Sequence, residues 1–107
     1  MATSYKLEPE NGWSKFSDHA SLVDFLYEVY NDRCQHLGWK HMNFTSDTTI
    51  FEDPNGSYIC LIFSDPDLPL LSELNVDEKS ESIDSVINVK NVVDQLVKNF
   101  NLKKTPT

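Results

Sequence analysis

A turn signal between two apolar stretches limits the folds open to this chain. Residues 48–63 contain two runs of β-branched and aromatic side chains, and the sequence Asp53-Pro54-Asn55-Gly56 separates them. Asp at the first turn position, Pro fixing φ at the second and Gly permitting a positive φ at the fourth are typical of a type I turn with a bulge. The pattern therefore predicts a β-hairpin over residues 48–63.

The second strand of this hairpin is apolar on both faces. Alternation of side chains along a strand predicts two separate sets. On the hairpin as a whole, Phe51, Ile59, Leu61 and Phe63 lie on one face, and Ile50, Cys60 and Ile62 lie on the other. Both faces need cover, so a sheet side without helices leaves room for a homodimer.

Two amphipathic helices are predicted, one on either side of the hairpin in the chain. Apolar residues recur at three- and four-residue steps over about 18–37, and Gly38 then offers the positive φ that helix ends favour. Ser17 or Asp18 is the predicted N-cap of this helix. The same spacing predicts a second helix over about 88–101, with Asn88 as its N-cap.

The remaining segments have weaker patterns. Pro66 and Pro69 end the hairpin strand, and residues 70–74 are interpreted as one helical turn. Residues 75–81 are polar and predicted to form a mobile loop, whereas residues 82–87 have the β-branched character of a strand. A further strand is predicted near residues 5–7.

The expected fold is therefore α+β, a small antiparallel sheet built on the central hairpin with both helices packed on it. A chain of 107 residues with 39% hydrophobic side chains suits one globular domain, residues 1–107. Residues 1–4 and 103–107 are expected to fray.

Negative charge is concentrated in the middle of the chain. Residues 46–84 contain ten carboxylates and a single cation, Lys79, while the whole chain has a net charge of −8. Such a field repels phosphates and anionic lipid, and it attracts basic partners. We therefore expect no direct binding of nucleic acid or membranes.

The sequence predicts a cytoplasmic protein. It has no run of about 20 apolar residues that could cross a bilayer, and its first residues lack the apolar segment of a secretion signal. Cys34 and Cys60 are expected to remain thiols in a reducing compartment.

No motif for catalysis, a metal or a cofactor is specific enough to predict a site. Cys34, His36 and His41 are close in sequence, but packing of a buried cysteine explains Cys34 better than zinc binding does. The three glycines do not form a phosphate-binding loop, and the Asp65-x-Asp67 pair lacks the glycine of a calcium loop. We predict no cofactor, and the chain is interpreted as a non-enzymatic protein.

The leading hypothesis is an acidic interaction module, such as an adaptor, inhibitor or immunity-type factor, that binds a basic protein surface. Four leucines and several acids follow the hairpin, and they combine apolar contact area with electrostatic steering. The predicted partner-binding residues are Asp65, Asp67, Leu68, Leu70, Leu71, Glu73, Asp77, Glu78 and Glu81.

Two alternatives stay open at this point. Ordered carboxylates can imitate the phosphates of a nucleic acid and block a DNA- or RNA-binding protein. A small enzyme or ligand carrier is the other alternative, with a pocket between helix and sheet into which Tyr27, Tyr58, His19 or His41 points.

Overall fold

The computed structural model describes residues 2–79 and 88–107, and it confirms the α+β fold. Six strands form one antiparallel sheet in the order β2-β3-β4-β5-β1-β6, and two helices accompany it. The elements in chain order are β1 (Ala2–Pro9), α1 (His19–Val29), β2 (Lys40–Thr45), β3 (Thr48–Glu52), β4 (Tyr58–Asp65), β5 (Leu70–Lys79), α2 (Val89–Phe100) and β6 (Leu102–Pro106).

The predicted hairpin is confirmed as β3 and β4. Ile50 pairs with Cys60, and the neighbouring pair brings Phe51 opposite Ile59. In the turn, the backbone N–H of Gly56 donates to the Asp53 carbonyl at 3.0 Å, and Gly56 has a φ of 87°. The turn residues therefore fix the register that places one apolar set against the helices.

The first predicted helix is present but irregular in its second half. After α1 the chain continues as a wider π-helical turn (Tyr30–Cys34) and a 3-10 turn (Gln35–Leu37). Gly38 then takes a φ of 89°, as the sequence predicted. At the other end of α1, Asp18 holds the N-cap position without a side-chain hydrogen bond to the helix.

The start of α2 is held by two side chains. The Asn88 side chain accepts a hydrogen bond from the backbone N–H of Asn91 at 3.0 Å, which confirms the predicted cap. The buried carboxylate of Asp53 accepts the backbone N–H of Val89 at 3.1 Å. The β3–β4 turn and α2 are thus joined through one carboxylate.

The predicted helical turn at 70–74 and loop at 75–81 are wrong, because β5 occupies residues 70–79. Phe63 pairs with Leu71 and Ile62 pairs with Glu73, so Ser72 is an extra residue that forms a bulge. The bulge lets Leu71 and Leu74 both face the core although they are three residues apart. The three-residue separation of these buried leucines in the sequence therefore resembles the spacing on one face of a helix. The predicted strand at 82–87 lies outside the described residues.

The two edge strands were not predicted. β2 is largely polar, and β6 contributes one buried side chain, Leu102. Residues 2–4 pair with β5 and residues 103–106 pair with β1, at the two ends where the sequence predicts fraying. Lysines and proline in β6 suit an exposed edge, since they discourage pairing with another strand.

The hydrophobic core fills the space between the helices and one face of the sheet. Buried residues from both helices and from every strand between β3 and β1 belong to one cluster. The opposite sheet face carries half-buried and exposed side chains, and we call it the open face. Within the described residues, neither helix is long and apolar enough to span a lipid bilayer.

Candidate docking site

Two hairpin turns leave the sheet at the same end. The β2–β3 turn lies beside β4, because Thr48 pairs with Ile62 and the backbone N–H of Phe63 donates to the Asp47 carbonyl at 2.8 Å. The β4–β5 turn begins just beyond, where Asp65 pairs with Leu70. Residues far apart in the chain thereby meet at one end of the molecule.

A groove of about 430 Å³ lies between these turns and α1. It is lined by apolar groups and by neutral hydrogen-bonding groups, and we call it the acidic groove because of the carboxylates around it. The lining residues are Val23 and Tyr27 from α1, Asn43, Thr45, Ser46 and Thr49 from the β2–β3 hairpin, and Phe63, Pro66 and Pro69 from β4 and its turn.

Large apolar side chains are exposed on the same two turns. Phe44 is 62% exposed beside the β2–β3 turn, and Leu68 and Leu70 are 64% and 37% exposed in and after the β4–β5 turn. They are three of the four large apolar residues exposed in the described part of the chain. Their proximity to one groove makes this end of the sheet a candidate contact surface.

Carboxylates surround the acidic groove and are held in place. Hydroxyl hydrogen bonds from Thr45 and Thr48 lower the pKa of Asp47, so this side chain stays anionic. Asp65 accepts the backbone N–H of Asp67 at 3.0 Å, which fixes the turn. None of the nine lining residues named above is charged, so the acids on the adjoining turns determine the sign of the field at the groove. A basic side chain would therefore meet an uncompensated negative field.

The β4–β5 turn beside the groove carries four of the predicted partner-binding residues, none of which lines the groove itself: Asp65, Asp67, Leu68 and Leu70. Leu71 is a correction, because its side chain is 2% exposed and packs in the core. Adjacent strand residues point to opposite faces, so sequence proximity to Leu70 did not imply shared exposure.

The predicted acids farther along β5 point elsewhere. Glu73 lies on the open face in an ion pair with Lys6 at 2.9 Å. Asp77 shares that face and accepts the Ser4 hydroxyl at 3.1 Å. Glu78 lies on the helix side at the far end of the strand, and Glu81 is outside the described residues. Glu73, Asp77 and Glu78 therefore do not form one surface with Asp65 and Asp67.

An aromatic cluster stands behind the acidic groove. The His41 ring stacks on Phe51 with centroids 4.9 Å apart, and Tyr27 meets His41 edge-on at 5.1 Å. Burial lowers the pKa of His41, because the packed rings disfavour its charged form. A neutral imidazole thus supports the Tyr27 side chain that lines the groove.

Replacing His41 by phenylalanine should weaken the pH dependence of stability. The folded pKa of His41 lies below its unfolded value of about 6.5, so the unfolded chain binds more protons as pH falls through that value. The free energy of unfolding of the native protein should fall below about pH 6.5, and the difference from His41→Phe should grow between pH 8 and 5. Urea unfolding across this pH range measures the stability difference between the two proteins. A difference that does not change with pH would contradict a lowered pKa for His41.

The other residues considered for a pocket have different surroundings. His19 is buried, and its two ring nitrogens lie 2.9 Å from the Trp13 carbonyl and from the backbone N–H of Leu71. Tyr58 lies on the open face, where it pairs with Asp77. Burial raises the pKa of Cys34 to about 11 and also raises the pKa of Cys60. Both cysteines are therefore protonated thiols at neutral pH.

Sequence reasoning missed Phe44 and Asp47. Both precede the predicted hairpin, and their neighbours are too polar for β2 to be recognised as a strand. Thr45-Ser46-Asp47 has the composition of a turn, and that signal, followed by a predicted strand, could have indicated the second hairpin.

Comparison with protein-family models, with curated proteins and with solved structures finds no match to this chain. Among residues 2–79 and 88–107, no three His, Cys, Asp or Glu side chains are grouped as a metal ion requires.

Proposed function

We propose that this chain is a protein-interaction module whose acidic groove binds a partner that presents basic and apolar side chains. The observation that carries the proposal is that two adjacent hairpin turns, which border one groove, carry exposed apolar residues and carboxylates. An adaptor, an inhibitor and an immunity-type factor are the kinds of protein that act through such a surface. The proposal places the protein in the cytoplasm, where Cys34 and Cys60 remain free thiols.

Apolar contacts would supply most of the affinity. Burial of an exposed phenylalanine or leucine stabilises a complex by roughly 1.5 to 3 kcal/mol. Phe44 is exposed in β2 next to one turn and Leu68 is exposed in the other turn, so a partner that covers this end of the sheet would bury both. Binding energy in interfaces is concentrated in a few such anchors.

The carboxylates would provide steering and selectivity. Asp47, Asp65 and Asp67 lie on the two turns, and Asp24 and Glu28 are exposed on α1 directly after the lining residues Val23 and Tyr27. Charges at the rim of an interface chiefly raise the association rate and reject partners of like charge. Binding should therefore weaken as salt concentration rises.

The turns are also ordered before any partner arrives. The Ser64 hydroxyl donates to the Leu70 carbonyl at 3.2 Å, and Asp65 fixes the backbone of Asp67. A surface that is already ordered loses less conformational entropy on binding. This order favours a specific docking site over a disordered acidic tail.

A charge-neutralising variant tests the proposal. Peptides selected from a random library on the immobilised protein should contain lysine or arginine next to aromatic or aliphatic residues. The triple variant Asp47→Asn, Asp65→Asn, Asp67→Asn should bind them about tenfold more weakly, since three carboxylates on the turns at roughly 0.5 kcal/mol each amount to that factor. Fluorescence anisotropy at 50 and 300 mM salt measures both the affinity and its salt dependence.

The matched control changes the same total charge elsewhere. Glu10→Gln, Asp32→Asn and Asp94→Asn remove three exposed carboxylates that lie outside the two turns. This control should retain nearly full affinity if location matters. Equal losses in both triple variants would mean that net charge alone drives binding and would contradict a specific site. Selection of acidic peptides would also overturn the proposal.

A further inference from the structure

The open face of the sheet has an apolar stripe that no element of the described structure covers. Side chains from β2, β3 and β4 alternate away from the helices and are half-buried among their neighbours. The stripe consists of Met42, Ile50, Tyr58, Cys60 and Ile62. A two-layer fold normally covers an apolar sheet face with another element, so this stripe suits a further layer.

Charges on the open face are balanced in cross-strand or neighbouring pairs. Lys6 contacts Glu73 at 2.9 Å, and Lys79 contacts Asp77 at 3.5 Å. Two further pairs are set by strand register, since Lys40 lies opposite Glu52 and Glu8 lies opposite Lys103. Four lysines therefore meet four carboxylates, so the face is neutral around the stripe. One further acid, Asp65, lies opposite Leu70 at the turn end of the face.

The rest of the molecule differs sharply from this face. The described residues contain 15 carboxylates and nine Lys or Arg side chains, so removing four of each leaves 11 acids against five cations elsewhere. A basic partner would be drawn to those other surfaces, because the open face offers no net charge to attract it. A second copy of this chain can approach through its neutral face without a local excess of like charge.

We propose that the open faces of two copies pack together and form a homodimer. Under a twofold axis the same patch meets itself, so the apolar stripe of one copy can cover the stripe of the other while the paired charges form a polar border. Aligned sheets stack about 10 Å apart with strands rotated by roughly 30°. The apolar stripe shares no residue with the lining of the acidic groove, so the inference does not depend on the proposed function.

The size of the face is sufficient for a modest dimer. Six strands at about 4.8 Å spacing and roughly 20 Å length give on the order of 500 Å² in projection. Two such faces bury about 1,000 Å², which is near the lower limit for a specific interface. The dimer should therefore depend on protein concentration.

Sedimentation equilibrium between 1 and 500 µM tests the inference. The native protein should approach twice its 12.3 kDa mass as concentration rises. Salt should strengthen this association, because it screens the repulsion between two acidic molecules whose contact surface is neutral. Salt should weaken the binding of a basic peptide in the groove. The homodimer and the proposed function can therefore be tested, and can fail, independently.

Ile50→Lys places a charge in the centre of the stripe and should weaken dimerisation at least tenfold. Leu68→Lys is the control, because it adds the same charge at the acidic groove and should leave the dimer intact. Far-ultraviolet circular dichroism verifies that both variants are folded. A native protein that stays monomeric at every concentration and salt level would overturn the inference, as would a dimer that Ile50→Lys leaves unchanged.

Chemical cross-linking of the native chain gives a measurement that needs no charged variant. Cys60 lies in the stripe, whereas Cys34 is buried. A short bis-maleimide should join two copies through Cys60, and Cys60→Ser should abolish the product. Cross-linking that persists in Cys60→Ser would contradict the proposed contact.

Discussion

Replacing Asp53 by alanine is expected to lower the free energy of unfolding by about 3 kcal/mol. The buried carboxylate accepts backbone N–H groups from Asn55 at 2.9 Å, from Ser57 at 3.0 Å and from Val89 at 3.1 Å. Hydrogen bonds to a charged group contribute about 1.5 to 3 kcal/mol each, and buried donors left without a partner add a desolvation cost. The β3–β4 turn and the start of α2 should loosen together.

Thermal unfolding measures this effect directly. A loss of about 3 kcal/mol corresponds to a fall in Tm of roughly 12 °C or more in a domain of this size. Asp53→Asn should be intermediate, because the amide keeps an oxygen acceptor but turns an NH₂ donor toward backbone donors. Asp94→Ala is an exposed control and should change stability by less than about 0.5 kcal/mol. A fall in Tm of only 2 to 3 °C for Asp53→Ala would show that the hydrogen bonds of Asp53 between the β3–β4 turn and α2 contribute little to stability.

His19→Phe is expected to cost about 2 to 3 kcal/mol, although phenylalanine preserves much of the buried ring. The imidazole joins the Trp13 carbonyl to the backbone N–H of Leu71, and both groups lose their partner in the variant. A buried donor without a partner costs about 1 to 3 kcal/mol, and β5 should separate locally from the start of α1.

Hydrogen exchange and urea unfolding together test the role of His19. The Leu71 amide should exchange at least tenfold faster in His19→Phe, and the urea midpoint should fall. His36→Phe alters an exposed histidine and should leave both measurements nearly unchanged. A protected Leu71 amide in His19→Phe would mean that another group satisfies it, contrary to the bond described above.

Features encoded within a few residues could be predicted from the sequence. The turn at 53–56, the Asn88 cap and the positive φ of Gly38 each depend on neighbouring residues, and the structure contains all three. The apolar spacing of α2 likewise needed no distant partner. Local conformational preferences and periodicity were sufficient for these elements.

Features created by distant contacts could not be predicted. β6 becomes a strand because β1 offers it a free edge, and its own sequence has little strand character. Asp53 was interpreted as a turn residue, and its bond to Val89 became visible only when α2 was placed beside the turn. The extra residue Ser72 interrupts the two-residue alternation of apolar side chains in β5, so the sequence did not indicate a strand there.

The candidate site shows the same division. Asp65, Asp67, Leu68 and Leu70 could be grouped from the sequence because they are consecutive or nearly so in the chain. Phe44 and Asp47 join them through strand pairing, which no local pattern revealed. Glu73, Asp77 and Glu78 were grouped with the site by sequence, but alternation along β5 distributes them over two faces.

A nuclear magnetic resonance titration tests the central claim most directly. The ¹⁵N-labelled chain is titrated with the tightest peptide recovered in the library selection, at low and at high salt. Binding in the acidic groove predicts the largest shifts at residues 44–47 and 65–70, smaller shifts near Tyr27, and weaker effects at high salt. Largest shifts on the open face or around α2, with residues 65–70 unchanged, would contradict the account.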